Sequence, residues 1–118
     1  MDAKLFIRAI KEVVRDAAAR NALSILEQPP GRRPSPELKA RADWYHSLDD
    51  SQKKLLADAI KEAANGAVFG FLCVLDGVRA IEDDKPQGVL ELRYVKGNIS
   101  FILNPPDETM LHDLFNSP

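Results

Sequence analysis

The stretch that decides the fold runs from residue 49 to residue 78, DDSQKKLLADAIKEAANGAVFGFLCVLDGV. Its apolar residues recur at steps of three or four, which is the spacing of one face of an α-helix. The residues of this stripe are Leu56, Ile60, Ala63, Ala67, Phe71, Val74 and Val78. Asp49 and Gln52 at the start have the spacing of a capping box, in which each side chain accepts a hydrogen bond from the other residue's backbone N–H. The stretch therefore predicts one long helix.

A competing interpretation arises at Asn65-Gly66. This pair could end the helix in a left-handed cap, which would leave Ala67–Leu75 as a buried strand. Because the apolar stripe keeps its phase through Gly66, we favour the continuous helix. Gly66 and Gly70 would then let another element approach that helix closely.

Upstream, Asp2 to about Glu27 also has helical periodicity. Phe6, Ile10 and Val13 belong to its apolar stripe. A cationic stripe with the same spacing is shifted by two residues, or about 200° around a helix, and is expected to lie opposite. Its members are Lys4, Arg8, Lys11 and Arg15.

Residues 29–36, with the sequence PPGRRPSP, interrupt the helical pattern and predict an exposed loop within one domain. Ser35 is a suitable N-cap for a short second main helix, Pro36 to His46, because proline is tolerated at the first helical position. We expect Trp44 to anchor this helix to its neighbours.

Downstream, Val89–Lys96 and Ile99–Asn104 predict two strands joined by a Gly97-Asn98 turn. Val78–Ile81 could add a third strand. Pairing Lys96 with Ile99 predicts one buried hairpin face, whose members are Leu90, Leu92, Tyr94, Ile99, Phe101 and Leu103. The opposite, wet face carries Glu91, Arg93 and Ser100.

The predicted fold class is α+β, in one domain spanning residues 1–118. Three main helices would pack on a small C-terminal antiparallel β-hairpin or three-stranded sheet. The long third helix is expected to cover the apolar face of the hairpin. A short closing helix, residues 107–115, follows Pro105-Pro106 and offers Met110, Leu111, Leu114 and Phe115 for packing.

Composition narrows the classes of function. The chain has 118 residues and a formal charge of −2, which is too small to indicate a polyanion or membrane partner. The cationic stripe is interrupted by Glu12 and Asp16 and has no interleaved aromatic residues, which argues against nucleic acid as a partner. A single cysteine, Cys73, fits a reducing compartment, so we expect a cytoplasmic location. Its apolar neighbours predict a buried, inert thiol.

Residues able to carry chemistry are sparse. His46 and His112 are the only histidines, and neither has metal-ligand spacing. We therefore predict no catalytic, metal-binding or cofactor-binding residue, and no cofactor. The alternative is an enzyme whose histidine and carboxylate converge in a cleft, with candidates His46, His112, Asp76 and Glu82.

The densest acidic cluster is Glu82-Asp83-Asp84. It is typical of a solvated loop, and it would also suit a basic partner. We therefore predict a small non-catalytic binding protein, such as an immunity-type or regulatory partner. The expected partner-binding residues are Glu82, Asp83, Asp84, Glu91 and Arg93. A second alternative is a structural homo-oligomer, joined through the Gly66/Gly70 face or the hairpin edges.

Overall fold

The computed structural model describes residues 1–118 and confirms the α+β class. In chain order its elements are α1 (Ala3–Ile10), a π-helical segment (Lys11–Asp16), α2 (Ala17–Glu27), α3 (Pro36–His46), α4 (Asp50–Leu75), β1 (Arg93–Lys96), β2 (Ile99–Ile102) and α5 (Leu111–Asn116). Because α1, the π-helical segment and α2 are continuous, they form a single first helix. The three predicted main helices are α1–α2, α3 and α4, and α5 is the closing helix, which begins at Leu111 and not at residue 107 as predicted.

The π-helical segment changes which side of the first helix meets the rest of the molecule. A π turn holds more residues than an α turn, so the side chains that follow it are rotated. Val13 is 68% exposed, whereas Lys11 and Arg15 are half-buried and lie 5.6 and 5.5 Å from the Phe115 ring centre. The expectation that these two cations lie opposite the packed face was wrong. The Phe115 ring supplies the attraction that draws them inward.

The second main helix begins as its sequence indicates. Ser35 accepts a hydrogen bond from the Leu38 N–H, and Pro36 occupies the first position. Residues 30–33 of the preceding loop are exposed. The prediction that Trp44 anchors this helix was wrong, because Trp44 is 52% exposed whereas the neighbouring Tyr45 is buried. A helix directs adjacent side chains about 100° apart, and here α2 packs on the Tyr45 side.

The long helix α4 is continuous through Gly66, so Ala67–Leu75 is helix and not strand. Both hydrogen bonds of the capping box are present, at 2.8 Å from the Gln52 N–H to Asp49 and at 3.0 Å in return. The face that α4 buries differs from the predicted stripe, however. Leu72 and Cys73 are buried while Phe71 is 63% exposed. The far half of α4 is apolar all round, so periodicity alone did not select the buried side.

The main core joins distant parts of the chain. Its fully buried members are Ile7 from α1, Leu72 from α4, and Leu111 and Phe115 from α5. Half-buried apolar side chains surround them, including Phe6, Val68, Phe69 and Leu114. The closing helix thus lies at the centre of the packing, although it has only six residues. It occupies the buried face of the far half of α4.

The sheet is a two-stranded antiparallel hairpin in the predicted register, with Lys96 opposite Ile99 and Tyr94 opposite Phe101. Both strands are shorter than expected, and Val78–Ile81 forms no strand. Beyond the ladder, the Leu103 N–H still donates to the Leu92 carbonyl at 2.7 Å. The pairing therefore holds from the turn to the base of the hairpin.

Asn104 fastens the base of the hairpin to α4. Its side-chain amide donates to the Leu75 carbonyl at 2.9 Å and to the Leu90 carbonyl at 3.0 Å, and its oxygen accepts from the Leu92 N–H at 2.8 Å. The expectation that α4 covers the whole apolar face was wrong. Leu103 is buried at the base, but Ile99 near the turn is 60% exposed. Because α5 takes the buried face of α4, the hairpin projects beyond the helices.

Candidate functional site

A cleft of about 630 Å³ opens where α4 ends. One wall is the extended segment 76–91, and the other is formed by residues around the base of the hairpin. We call this the loop cleft. Its polar lining residues are Asp76, Arg79, Glu82, Gln87, Glu91 and Asn104. Its apolar lining includes Ile81, Val89, Leu90, Ile102 and Met110.

The acidic loop, residues 82–88, is closed on itself. The Glu82 carboxylate accepts from the Gly88 N–H at 2.6 Å, and the Gln87 side chain donates to the Glu82 carbonyl at 3.0 Å. Glu82 therefore shapes the loop as well as lining the cleft. Asp83 and Asp84 are exposed and have no hydrogen bond or salt bridge within the chain. Their charges face solvent and remain available.

The other two predicted partner-binding residues lie on the wet face of the hairpin. Arg93 reaches Glu91 at 3.5 Å and the Ser100 hydroxyl at 3.3 Å. Glu91 also lines the loop cleft, as Glu82 does, whereas Asp83, Asp84 and Arg93 do not. We call Glu82 and Glu91, with the neighbouring Asp83 and Asp84, the acidic rim of the cleft.

Large apolar side chains around this cleft are left in solvent. Val89 is 86% exposed, Ile81 is 68% exposed and Leu90 is 42% exposed. Their exposure depends on the path of segment 76–91, so the sequence alone did not indicate them as partner-binding residues. The prediction that Leu90 lies on the buried face of the hairpin was wrong, because β1 begins only at Arg93 and leaves Val89 and Leu90 outside the strand.

His112 and Asp76 converge, which meets one of the two requirements of the enzyme hypothesis; the other, a cleft lined by both, is not met. The His112 Nδ1 lies 2.7 Å from Asp76 Oδ2, and the Asp76 side chain is only 2% exposed. The same carboxylate accepts from the backbone N–H groups of Leu111 and His112, at 3.2 and 2.8 Å. Asp76 therefore ties the end of α4 to the start of α5. The one feature of the sequence that pointed to this contact was an acidic residue immediately after the apolar stretch of α4.

The other face of His112 lies against a second carboxylate. Its Nε2 is 3.4 Å from Asp113 Oδ1, and its ring meets the edge of Phe69. With Nδ1 donating to Asp76, the neutral ring would carry its lone pair on Nε2, where it can accept a proton. No serine, threonine or tyrosine hydroxyl and no thiol is hydrogen-bonded to this atom. His112 is also absent from the lining of the loop cleft.

The contacts of His46 and the burial of Cys73 fit structural roles for both residues. His46 Nε2 lies 2.7 Å from the Glu27 carbonyl, which links the ends of α2 and α3. Cys73 is buried. No group of three or more His, Cys, Asp or Glu side chains converges in a way that could hold a metal ion.

A second, polar groove of about 420 Å³ separates the first helix from the middle of α4. Arg15 crosses it, bonding to Asp16 at 2.8 Å and to Asn65 at 3.3 Å. The Arg15 side chain holds the pKa of Asp16 below its ordinary value through this hydrogen bond. Arg15 thus connects the first helix to α4 by polar contacts across this groove. The spacing of residues in the sequence did not indicate these contacts, because Arg15 and Asn65 are far apart in the chain.

Comparison of this chain with protein-family models, with curated protein sequences and with solved structures finds no match to any of them. Among the helices, none has both the length and the apolar character needed to cross a membrane.

Proposed function

We propose that this chain is a non-catalytic binding protein whose partner protein docks on the loop cleft. The observation that carries the proposal is the exposure of Ile81, Val89 and Leu90 beside a cleft. Burying neighbouring apolar side chains against a partner stabilises a complex, and a small cluster of them can act as its anchor.

The charges around this anchor indicate the chemistry of the partner. Asp83 and Asp84 are unpaired, Glu82 and Glu91 line the cleft, and Arg79 and Arg93 partly balance them. Acidic rim residues attract basic side chains and speed association with them. A protein segment with apolar residues flanked by lysine or arginine would match this surface. An immunity-type or regulatory role would use such a surface.

The experiment is selection of displayed random peptides on the purified full chain. We expect enriched peptides to combine apolar residues with lysine or arginine, and to bind more weakly as salt rises. Val89→Asp should abolish their binding, and the double change Asp83→Lys with Asp84→Lys should weaken it at least tenfold.

Two matched variants serve as controls. Val13→Asp places the same new charge at an exposed valine of the first helix, and Asp43→Lys reverses an exposed acid on α3. Both should bind the peptides as the unchanged chain does. Absence of enriched peptides, or equal losses in the controls, would overturn the proposal.

A second candidate function is an enzyme in which His112 acts as a general base. The observation that favours it is the 2.7 Å contact between His112 Nδ1 and Asp76, which fixes the orientation of the ring and leaves Nε2 as its other nitrogen, beside the exposed Asp113. The test is hydrolysis of a panel of chromogenic esters by the unchanged chain and by His112→Gln. Turnover that vanishes in the variant, with its melting midpoint retained, would support this candidate. Equal rates in both proteins would remove it.

A further inference from the structure

The outer edge of β1 is an unpaired strand edge, because the sheet contains only β1 and β2. The Leu103 N–H donates to the Leu92 carbonyl, so Leu92 lies at a hydrogen-bonded position of the antiparallel pairing. Since such positions alternate along a strand, the backbone groups of Glu91, Arg93 and Val95 point away from β2. No turn, loop or side-chain hydrogen bond involves the backbone of these three residues.

This edge is longer than β1 itself. The chain runs without a bend from Gln87 to Lys96, whereas after β2 it bends at once. The edge is also accessible, since Val89 is 86% exposed and Val95 is 63% exposed. We call residues 89–95 the β1 edge. Its outward backbone groups are a template on which another strand can pair.

The sequence of the β1 edge, VLELRYV, complements a reversed copy of itself about its central residue. In an antiparallel pair of two such segments with the two-fold axis at Leu92, the facing residues are Val89 with Val95, Leu90 with Tyr94, Glu91 with Arg93, and Leu92 with itself. Apolar side chains therefore face apolar or aromatic ones, and the acid faces the base. An isologous two-fold interface requires self-complementarity of this kind.

Charge favours this register over the two neighbouring ones. An axis at Glu91 would place two glutamates directly opposite each other, and an axis at Arg93 would do the same with two arginines. Like charges at facing positions destabilise a strand pair. With the axis at Leu92, opposite charges face each other on both sides of the axis. The outward backbone groups of Glu91 then also meet those of Arg93, as hydrogen bonding requires.

We propose that the β1 edge is the interface of a homodimer in which two copies pair antiparallel across a two-fold axis at Leu92. The two hairpins then form one four-stranded sheet. Its new strand pair gains about eight backbone hydrogen bonds, two for each facing pair of outward residues. Within one chain Arg93 lies 3.5 Å from Glu91, and both side chains are exposed, so both are accessible to the other copy. The complementarity of two identical segments favours a second copy over an unrelated protein.

Exchange of the two charges tests the interface. In sedimentation at high micromolar concentration, we expect the full chain to show twice the monomer mass of 13.1 kDa. Glu91→Arg places arginine opposite Arg93 of the other copy, and Arg93→Glu places glutamate opposite Glu91. Each variant alone should therefore raise the dimer dissociation constant by about tenfold or more. An equimolar mixture of the two variants should restore the dimer, because every facing pair is then opposite in charge.

Three outcomes of this experiment would overturn the proposal. They are the monomer mass for the unchanged chain, undiminished dimers of either variant alone, and a mixture that dimerises no better than its components. Both changes are at exposed side chains, so the melting midpoints should stay close to that of the unchanged chain.

Proline substitution tests which edge of the hairpin pairs. Val95 and Ser100 face each other in the hairpin, at a position where neither N–H bonds to the opposite strand. Val95→Pro removes an outward N–H from the β1 edge and should abolish the dimer. Ser100→Pro makes the same change at the outer edge of β2 and should keep it. Equal dimerisation of two folded variants would contradict pairing through the β1 edge.

The β1 edge meets the loop cleft at Val89 and Glu91, but the two proposals fail separately. The double change at Asp83 and Asp84 should keep the dimer mass. Val95→Pro should keep the peptide binding, since Val95 does not line the cleft. A dimer without peptide binding would overturn only the proposed function, and peptide binding by a chain that stays monomeric would overturn only the dimer.

Discussion

Asp76 and Asn104 are the two most heavily hydrogen-bonded side chains in the molecule, and Asp76 is the charged one. Its buried carboxylate accepts three hydrogen bonds, from two backbone N–H groups and from His112. Bonds to an ionised acceptor are stronger than neutral ones, and their loss inside a protein leaves donors unsatisfied. A single side chain therefore holds the junction between α4 and α5.

Replacing this carboxylate by an amide should be costly. Asp76→Asn removes the charge and directs an NH₂ group at donors, so we expect a loss of about 2–3 kcal/mol in the free energy of unfolding. Urea denaturation measures it. Asp113→Asn, which touches the other side of the same ring through an exposed carboxylate, should lose less than about 0.5 kcal/mol. Similar losses in the two variants would mean that Asp76 has no special role.

An exposed pair on α4 gives a titration that can be followed directly. The hydrogen bond from Lys54, 2.9 Å away, holds the pKa of Asp58 below its ordinary value of 3.8. Lys54→Ala should raise this pKa, as NMR titration of the carboxyl carbon would show. Lys61→Ala, which removes only a distant charge, should raise it less.

The direction of the pH effect follows from that lowered pKa. The Lys54–Asp58 pair stabilises the fold above about pH 3.8, and its contribution is lost as the pH falls through the folded-state pKa of Asp58. A pKa for Asp58 that is unchanged in Lys54→Ala would contradict the ion pair.

Among the elements, the hairpin depends most on one backbone conformation. Gly97 has φ +57°, and Asn98 has no positive φ. A β-branched residue resists φ > 0, so Gly97→Val should destabilise the fold by about 1–2 kcal/mol. Asn98→Val introduces the same side chain one position later and should cost less than about 0.5 kcal/mol. Thermal melting compares them, and equal midpoints would mean that the turn is misplaced.

Local chemistry explains why the element ends were predictable. The Asp49 capping box, the Ser35 cap and the Gly97 turn each depend on residues a few positions apart, and each is present as predicted. The length of the hairpin strands depends instead on tertiary support. The ladder stops at Arg93 because Leu92 and Asn104 bond outside it to fasten the base.

Which apolar face becomes buried was not predictable from periodicity. On α4 the predicted stripe includes Phe71, but the side that packs against α5 carries Leu72. The π-helical segment likewise rotates Val13 outward, and no residue type announces a π turn. Of the candidate site, the acidic rim was visible as a charge cluster. The apolar anchor at Ile81 and Val89 required knowledge of the path of the chain.

Seen as a whole, the molecule is extended, with principal dimensions of 51 × 36 × 30 Å. Its main core is thin, and one short helix supplies two of the four central side chains. A six-residue helix is not stable in water by itself, so its packing and the stability of the whole molecule depend on each other.

Leu111 is the side chain on which this dependence can be measured. It is fully buried, and Leu111→Ala should cost about 2–5 kcal/mol through lost apolar burial and the cavity left behind. Urea denaturation of the unchanged chain and of Leu111→Ala gives this loss in the free energy of unfolding, provided that the free energy depends on urea concentration with the same slope in both proteins. Val13→Ala removes apolar atoms from an exposed site and should change the free energy by less than about 0.5 kcal/mol. A small loss in Leu111→Ala would mean that α5 is not central.

The contact between Ile7 and α5 also sets the order of events during synthesis. Leu111 and Phe115 are made more than a hundred residues after Ile7. At about 5–20 residues per second the first helix waits for roughly 5–20 seconds before its apolar face can be covered. During that interval α1, and α4 once it has been made, are open to chaperones and to other nascent chains. The main core is completed only when α5 has been made.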